Sequence, residues 1–212
     1  MLDHISSKAI SRPLAHLAKI IHKNKGSADQ VTLLGFLIGL LAFPAIVYQQ
    51  YYLALLFIAI NRLFDGLDGA LARIQGITDS GGFLDITLDF LFYSLVPFAF
   101  VIANPENNAV AGAFLIFSFI GTGSSFLAFA VMASKQNIEN PVYKHKSLYY
   151  ISGLTEGTET IACFILLCLF PQHFNSIAYS FALLCWITTS TRIFAGYQTL
   201  KKRPETARTD SK

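Results

Sequence analysis

The chain of 212 residues is 53% hydrophobic and only 14% charged, with a formal net charge of +3 and a mean hydropathy of +0.49. A chain of this length can form a single domain, but so apolar a composition excludes most soluble enzymes and favours an integral membrane protein. The rival interpretation, a soluble helical protein with buried core helices, fits this composition less well. We expect no nucleic-acid partner.

The first 27 residues have the pattern of an amphipathic helix. Four apolar residues fall on one helical face and four basic residues on the opposite face: Ile10, Leu14, Leu17 and Ile21 against Lys8, Arg12, Lys19 and Lys23. We predict that residues 1–27 lie in the membrane interface, with the basic side towards anionic headgroups. Packing of this helix on the rest of the protein is a compatible alternative.

Six long apolar segments follow within residues 28–200. Each is close to or above the ~20 residues with which a helix crosses ~30 Å of hydrocarbon. Because lipid offers the backbone no hydrogen-bond partners, helix is the expected state. The segments are Val31–Tyr48, Tyr51–Ala72, Phe83–Ala103, Ala109–Ala133, Leu148–Phe170 and Ser176–Leu200. We therefore predict an all-α membrane protein with six transmembrane helices, followed by a polar cytoplasmic tail at 201–212.

The basic residues predict the orientation of these segments. The connections at 49–50, 104–108 and 171–175 contain no Lys or Arg, whereas the connections on the other side and both ends of the chain carry all the basic residues that lie outside the segments. By the positive-inside rule, both termini are cytoplasmic. The junction between the second and third segments is then cytoplasmic too.

Four aspartates flank that junction. Asp65 and Asp68 are three residues apart and Asp85 and Asp89 are four apart, so each pair shares one face of a helix. The nine residues from Ile74 to Gly82 suffice for a tight turn, which would bring the two pairs together. Four such carboxylates repel one another unless cations join them. Hard divalent ions prefer oxygen ligands, and no His or Cys lies nearby, so two Mg²⁺ or Mn²⁺ ions are expected rather than zinc.

The order of these residues resembles the signature of the CDP-alcohol phosphotransferases. That signature reads D-x-x-D-G-x-x-A-R, then a glycine, three residues, an aspartate, three residues and an aspartate; here it is met by Asp65, Asp68, Gly69, Ala72, Arg73, Gly81, Asp85 and Asp89. Seven residues separate Arg73 from Gly81, where the family more often has eight. The family's Pro-Asn pair before a threonine is replaced by Ala28-Asp29, ahead of Thr32.

The resemblance implies an enzyme of phospholipid synthesis that transfers a substituted phosphoryl group from a CDP-linked donor to an alcohol and releases CMP. It implies a metal site formed by Asp65, Asp68, Asp85 and Asp89, with Asp89 as the general base for the acceptor hydroxyl. Contacts to CDP are expected from the residues Asp65, Asp68, Gly69, Ala72, Arg73, Asp29 and Thr32. The donor is expected to be CDP-diacylglycerol, and the family favours a homodimer in the cytoplasmic membrane.

A second polar patch lies in the fifth and sixth segments. Glu156 and Glu159 are three residues apart among threonines, and Arg192 is placed at a comparable depth. Ionisable groups inside membrane segments face a cavity or pair with one another. They therefore predict either an acceptor pocket or a structural Glu–Arg pair between the segments. Carboxylates with threonines favour a polyol or an amino alcohol over a phosphorylated acceptor.

Three alternatives stay open from the sequence. In the first, a water-soluble CDP-amino alcohol is the donor and diacylglycerol the acceptor. In the second, the carboxylates belong to a divalent-cation transporter, although they cluster at one membrane face instead of at the midplane of inverted repeats. A catalytically silent scaffold is the third. Ser118, Gly121 and Ser125 form a stripe of small residues for packing within the bundle or across a dimer.

Overall fold

A computed structural model describes residues 3–136 and 153–201, with side chains from Pro13 onwards. These residues form eight α-helices and no strand: α1 Asp3–Lys23, α2 Ala28–Leu40, α3 Ala42–Val47, α4 Tyr51–Gln75, α5 Asp79–Ala103, α6 Pro105–Lys135, α7 Gly157–Leu169 and α8 Phe174–Lys201. A 3₁₀ turn at Pro171–His173 precedes α8. The predicted tail beyond Lys201 and the start of the fifth predicted segment, 148–152, lie outside the described residues.

Four helical stretches in the described ranges are long and apolar enough to cross a membrane. They are Ala28–Val47, Asp79–Ala103, Pro105–Lys135 and Pro171–Lys201. Helix α4 has 25 residues, a sufficient length, but the charged residues near its end lower its hydropathy. Helix α7 is apolar and has 13 residues. The all-α membrane class is confirmed, and α4, α5, α6 and α8 cover their predicted segments.

The first predicted segment is interrupted instead of continuous. Helix α2 ends at Leu40 and α3 begins at Ala42, with Leu41 between them. Pro44 explains the break, because its nitrogen carries no hydrogen to donate to the carbonyl of Leu40 and its ring crowds that carbonyl.

The start of the fifth predicted segment is also different. Helix α7 begins at Gly157, so Thr155 and Glu156 precede the helix instead of lying inside it. The Glu156 side chain accepts from the backbone of Glu159, and Glu159 Oε2 accepts from Glu156 N at 3.1 Å. This reciprocal cap satisfies N–H groups that have no partner within the helix. It therefore fixes the helix start at a position that apolar content alone does not reveal.

Helix α1 packs on α4 through its apolar face. Leu14, Ala18 and Ile21 contact a small core formed with Ala70 and Leu71. This agrees with the packing alternative for the N-terminal segment.

The end of α4 is also tied to the linker between α1 and α2. Gln75 Nε2 donates to Gly26 O at 2.6 Å, and Ala28 N donates to Gln75 Oε1 at 3.1 Å. The capping box of Ser27 and Gln30 then starts α2 beside the end of α4.

The turn between α4 and α5 is shorter than predicted. It spans Gly76–Thr78, three residues instead of nine. Gly76 has φ of +101°, a backbone conformation that favours glycine. Thr78 Oγ1 accepts from Gly81 N at 3.1 Å and caps α5. Because the connection is so short, the end of α4 and the start of α5 stay close enough for the oxygens of Asp65 and Asp85 to lie within 4.8 Å of each other.

The larger core lies where α3 to α8 meet. Four aromatic side chains in it are almost fully buried: Phe92, Phe100, Phe164 and Phe174. In the small-residue stripe of α6, a Cβ at Gly121 would lie 3.1 Å from Thr189 Oγ1 and 3.3 Å from the Trp186 ring. This part of the stripe therefore packs against α8 within the chain.

Close packing of α2 on α4 yields a stability prediction. A Cβ at Gly35 would lie 2.5 Å from Phe64 Cβ, an atom held by the backbone of α4. We expect Gly35→Ala to lower the free energy of unfolding by about 1–3 kcal/mol through overpacking. Gly66→Ala is the matched control, because its Cβ would meet only the mobile end of Leu14 at 2.8 Å. Thermal unfolding in detergent measures both; equal melting temperatures for the two variants would contradict the packing argument.

Candidate active site

The end of α4 and the start of α5 bring the motif carboxylates together. Asp65, Asp85 and Asp89 each offer an oxygen within 4.8 Å of the others. All three are partly buried. Carboxylate oxygens this close repel unless a cation lies between them, and this arrangement is suited to a divalent ion. The predicted convergence of α4 and α5 at the motif is found for these three side chains.

Asp68 lies in the same cleft and completes the set. Its side chain is buried, with 6% exposure. Among the described residues, no hydrogen-bond donor reaches Asp68 Oδ2, which is buried. A buried carboxylate oxygen without a donor is costly in the absence of a cation. The four oxygen-only side chains therefore fit a site for divalent metal ions.

A cleft lies between α2, α4 and α5. Its lining residues are Thr32, Gly35, Phe36, Asn61, Arg62, Asp65, Asp68, Asp85, Leu88 and Asp89. Of the predicted nucleotide contacts, Thr32 thus lies directly in the cleft beside the carboxylates.

Asp65 and Asp68 line the cleft too, whereas the remaining predicted nucleotide contacts lie outside its lining. Gly69, Ala72 and Arg73 follow along α4, and a Cβ at Gly69 would lie 3.5 Å from Arg73 Nη1. The Arg73 side chain is exposed. Asp29 is exposed in the first turn of α2, and its Oδ1 would lie 3.1 Å from a Cβ at Gly81. These residues border the same end of the helices from the solvent side.

Arg62 is the residue of this site that sequence reasoning missed. Its side chain is 18% exposed, and Nη2 lies 2.8 Å from Asp89 Oδ1 while Nη1 lies 3.6 Å from Asp65 Oδ2. The guanidinium also lies over the rings of Phe92 and Tyr93, 5.3 and 5.6 Å from their centroids. Its position three residues before Asp65, inside an apolar segment, was the available signal.

Two neutral side chains hold this ion pair. Arg62 Nε and Nη2 donate to Asn61 Oδ1 at 2.9 and 2.6 Å, and Asn61 Nδ2 donates to Gly35 O at 3.0 Å. Tyr93 Oη donates to Asp89 Oδ2 at 3.2 Å. Both oxygens of Asp89 therefore accept hydrogen bonds, one from Arg62 and the other from Tyr93.

The second polar patch borders the same site. Besides capping α7, Glu156 Oε1 accepts from Gly153 N at 3.0 Å. A Cβ at Gly157 would lie 3.3 Å from Tyr93 Oη, so the start of α7 contacts the residue that holds Asp89. Among their described contacts, Glu156 and Glu159 act as helix caps, a structural role that the apolar pattern of the segment does not predict.

Arg192, the third residue of the second polar patch, lies in α8. It is buried, its Nη1 donates to Thr122 O at 3.3 Å, and its guanidinium lies 5.7 Å from the centroid of Phe126. Threonines join this region to the start of α7, since Thr155 Oγ1 donates to Thr188 Oγ1 at 2.9 Å. Hydrogen bonds between threonines thus fasten α8 to the segment before α7, and the Glu–Arg pair predicted for this region stays a prediction.

An all-helical membrane fold with four aspartates at one junction of two helices is typical of a metal-dependent membrane enzyme. Residues 26–193 match the family model of the CDP-alcohol phosphatidyltransferases, and the chain belongs to this family of membrane-bound enzymes. The family uses divalent metals, which agrees with the carboxylate cluster.

Two relatives match almost the entire chain. It is 58% identical over 201 residues to the inner membrane protein YnjF of Escherichia coli, covering 95% of this chain and 98% of that protein. It is 30% identical over 206 residues to the archaetidylinositol phosphate synthase of Pyrococcus horikoshii, covering 97% of this chain and 99% of that one.

The fold is also that of a solved enzyme. The crystal structure of the phosphatidylinositol phosphate synthase PgsA1 of Mycobacterium tuberculosis with CDP-DAG bound has a TM-score of 0.66 and 18% identity, covering 88% of this chain and 94% of that chain. Fold, family and relatives together make this chain an integral membrane transferase of phospholipid synthesis.

Proposed function

We propose that the protein transfers a phosphatidyl group from CDP-diacylglycerol to an alcohol and releases CMP. The observation that carries the proposal is the cluster of Asp65, Asp85 and Asp89 oxygens within 4.8 Å of one another, beside the buried Asp68. The crystallised neighbour holds CDP-DAG on the same fold, which supports the same donor here.

Each of the four aspartates has a role in this reaction. Asp65, Asp68 and Asp85 would hold two Mg²⁺ or Mn²⁺ ions, with Asp89 at the edge of the site. Such ions supply positive charge to the diphosphate oxygens as charge builds on the leaving CMP. Asp89 accepts the proton of the acceptor hydroxyl, the acceptor oxygen bonds to the phosphorus bearing the lipid, and the bond from that phosphorus to CMP breaks.

The nucleotide would lie along the solvent side of the cleft. Gly69 and Ala72 present almost bare backbone to a bulky ligand. Arg73, one turn beyond Gly69, offers an exposed guanidinium to a phosphate. We include Thr32 and Asp29 among the contacts to CDP, since one lines the cleft and the other borders it.

We further propose the membrane arrangement expected from the sequence. Six helices in 28–200 span the cytoplasmic membrane, residues 1–27 lie along its interface, the tail at 201–212 and both termini are cytoplasmic, and two chains form a homodimer. A site on the cytoplasmic face admits both water-soluble CMP and the lipid.

A cysteine at the exposed turn, Ile77→Cys, is expected to react with an impermeant thiol reagent from the cytoplasmic side; reaction from the opposite side alone would contradict this orientation.

The acceptor is proposed to be a phosphorylated polyol. Glu156 and Glu159 cap α7, and together with Arg192 they stay the proposed acceptor pocket, for which a neutral polyol or an amino alcohol is the alternative acceptor. The buried Arg192 is suited to a phosphate. The Pyrococcus relative is an archaetidylinositol phosphate synthase, a name that supports a phosphorylated acceptor.

One assay tests the proposed function. Purified protein is incubated with CDP-diacylglycerol, Mg²⁺ or Mn²⁺ and single alcohols, with and without a phosphate group; released CMP and the lipid product are then identified. We expect CMP together with a phosphatidyl-polyol phosphate. A product formed only from CDP-amino alcohol and diacylglycerol would support the reversed arrangement. Metal uptake into vesicles without any CMP would support a transporter.

A further inference from the structure

We infer that Arg62 is a positioning residue that keeps Asp89 out of the metal coordination shell, so that this carboxylate stays free to accept the acceptor's proton. The inference rests on the proposed function, in which three aspartates bind metal and Asp89 lies at the edge of the site. It adds the residue that holds Asp89 there, the partly buried guanidinium of Arg62.

The geometry gives Asp89 different partners from the other carboxylates. Arg62 Nη2 lies 2.8 Å from Asp89 Oδ1, against 3.6 Å between Arg62 Nη1 and Asp65 Oδ2. Tyr93 Oη holds the second oxygen of Asp89 at 3.2 Å. A guanidinium and a phenol on opposite oxygens fix the rotation of the carboxylate. Asp68, in contrast, presents a buried oxygen that no described donor reaches.

Arg62 itself has little freedom to move. Asn61 Oδ1 accepts from two of its nitrogens, and the rings of Phe92 and Tyr93 lie against the guanidinium. Asn61 is in turn anchored to the backbone of α2 at Gly35. The partly buried guanidinium of Arg62, held in this way, fixes the orientation of the Asp89 carboxylate, which a flexible lysine would not do.

The charge of Arg62 has a further consequence. Four ionised carboxylates carry −4, Arg62 reduces this to −3, and two divalent cations would make the site +1. A site with slight positive charge attracts a polyanionic diphosphate. Without Arg62, Asp89 is free to turn towards the ions. Metal binding would then be equal or tighter, while the base is lost.

The test measures metal binding and turnover separately, because removal of Arg62 should reduce turnover without weakening metal binding. Mn²⁺ binding to detergent-purified protein is measured by electron paramagnetic resonance, and the kcat and KM of CMP release are measured in parallel. For Arg62→Gln we expect an unchanged or lower Kd for Mn²⁺, with kcat reduced about 10²-fold by misplacement of the base. KM for the donor should stay within about threefold. Arg62→Lys should recover part of kcat, because it restores the charge without the fork.

Two further variants keep the test decisive. Tyr93→Phe removes the hydroxyl that donates to Asp89 Oδ2 and accepts from Arg62 Nη1 at 3.3 Å. It is expected to lower kcat about tenfold without weakening Mn²⁺ binding, since a hydrogen bond to a charged group is worth about 1.5 kcal/mol. It replaces Arg62→Gln if that variant does not fold. Lys201→Gln, an exposed charge change at the end of α8, should leave both values at the wild-type level. Parallel loss of Mn²⁺ binding and turnover in the Arg62 and Tyr93 variants, or undiminished kcat, would overturn the inference. Absence of CMP release by the wild-type protein would instead refute the proposed function.

Discussion

Replacing Asp68 by asparagine is expected to abolish CMP release while the protein remains folded. The substitution keeps the shape of a residue that is 6% exposed but removes its negative charge. Among the described residues, no hydrogen-bond donor compensates that charge at Oδ2. Loss of a metal ligand at a phosphoryl-transfer site removes several kcal/mol of transition-state stabilisation. About 4 kcal/mol corresponds to a loss of about 10³-fold in kcat/KM.

The matched control is Asp79→Asn, because Asp79 is an exposed aspartate in the first turn of α5, outside the cleft. Activity is measured as CMP release in detergent and folding as the melting temperature. We expect Asp79→Asn to retain activity and Asp68→Asn to retain the melting temperature. Wild-type turnover by Asp68→Asn would refute the role given to the cleft.

Removal of divalent ions is the second change with a large expected effect. A chelator should reduce CMP release to background, and Mg²⁺ or Mn²⁺ should restore it, because hard ions are suited to a site made only of carboxylates. The structure predicts more than loss of rate. Since Asp65 on α4 and Asp85 on α5 offer oxygens within 4.8 Å of each other, metal should also stabilise the fold by joining the two helices.

The measurement is the melting temperature as Mn²⁺ is added to metal-free protein. We expect a rise in the wild-type protein and none in the double variant Asp65→Asn, Asp85→Asn. The double variant also serves as the control for ions bound elsewhere on the surface. Full activity in the presence of the chelator, or an equal rise in both proteins, would contradict a shared metal site.

The convergence of the aspartates could be predicted because it depends only on local rules. Spacings of three and four place Asp65 with Asp68, and Asp85 with Asp89, on single helical faces. A short connection between the two helices then brings the two pairs of aspartates close together. The length of that connection was less predictable. Helix α4 ends at Gln75 and α5 begins at Asp79, and these bounds depend on the helix caps. Capping depends on geometry that composition does not contain.

Arg62 and the start of α7 show what could not be predicted. An arginine inside an apolar segment indicates a polar partner, but which carboxylate it meets depends on how α4 and α5 rotate against each other. The closer contact is to Asp89, 27 residues away. The apolar pattern predicts a fifth segment that is helical throughout, so it does not reveal that Glu156 and Glu159 cap a helix. Their capping role follows from a helix that begins at Gly157.

The central claim is that side chains from α4 and α5 bind divalent ions together and thereby hold a diphosphate. Anomalous scattering from crystals grown with Mn²⁺ and CDP-diacylglycerol tests it most directly. The account predicts two peaks in the cleft, bound by oxygens of Asp65, Asp68 and Asp85 and in contact with the diphosphate, with Asp89 beside them and paired to Arg62. A diphosphate bound away from these aspartates, in a protein that is active in solution, would contradict the account.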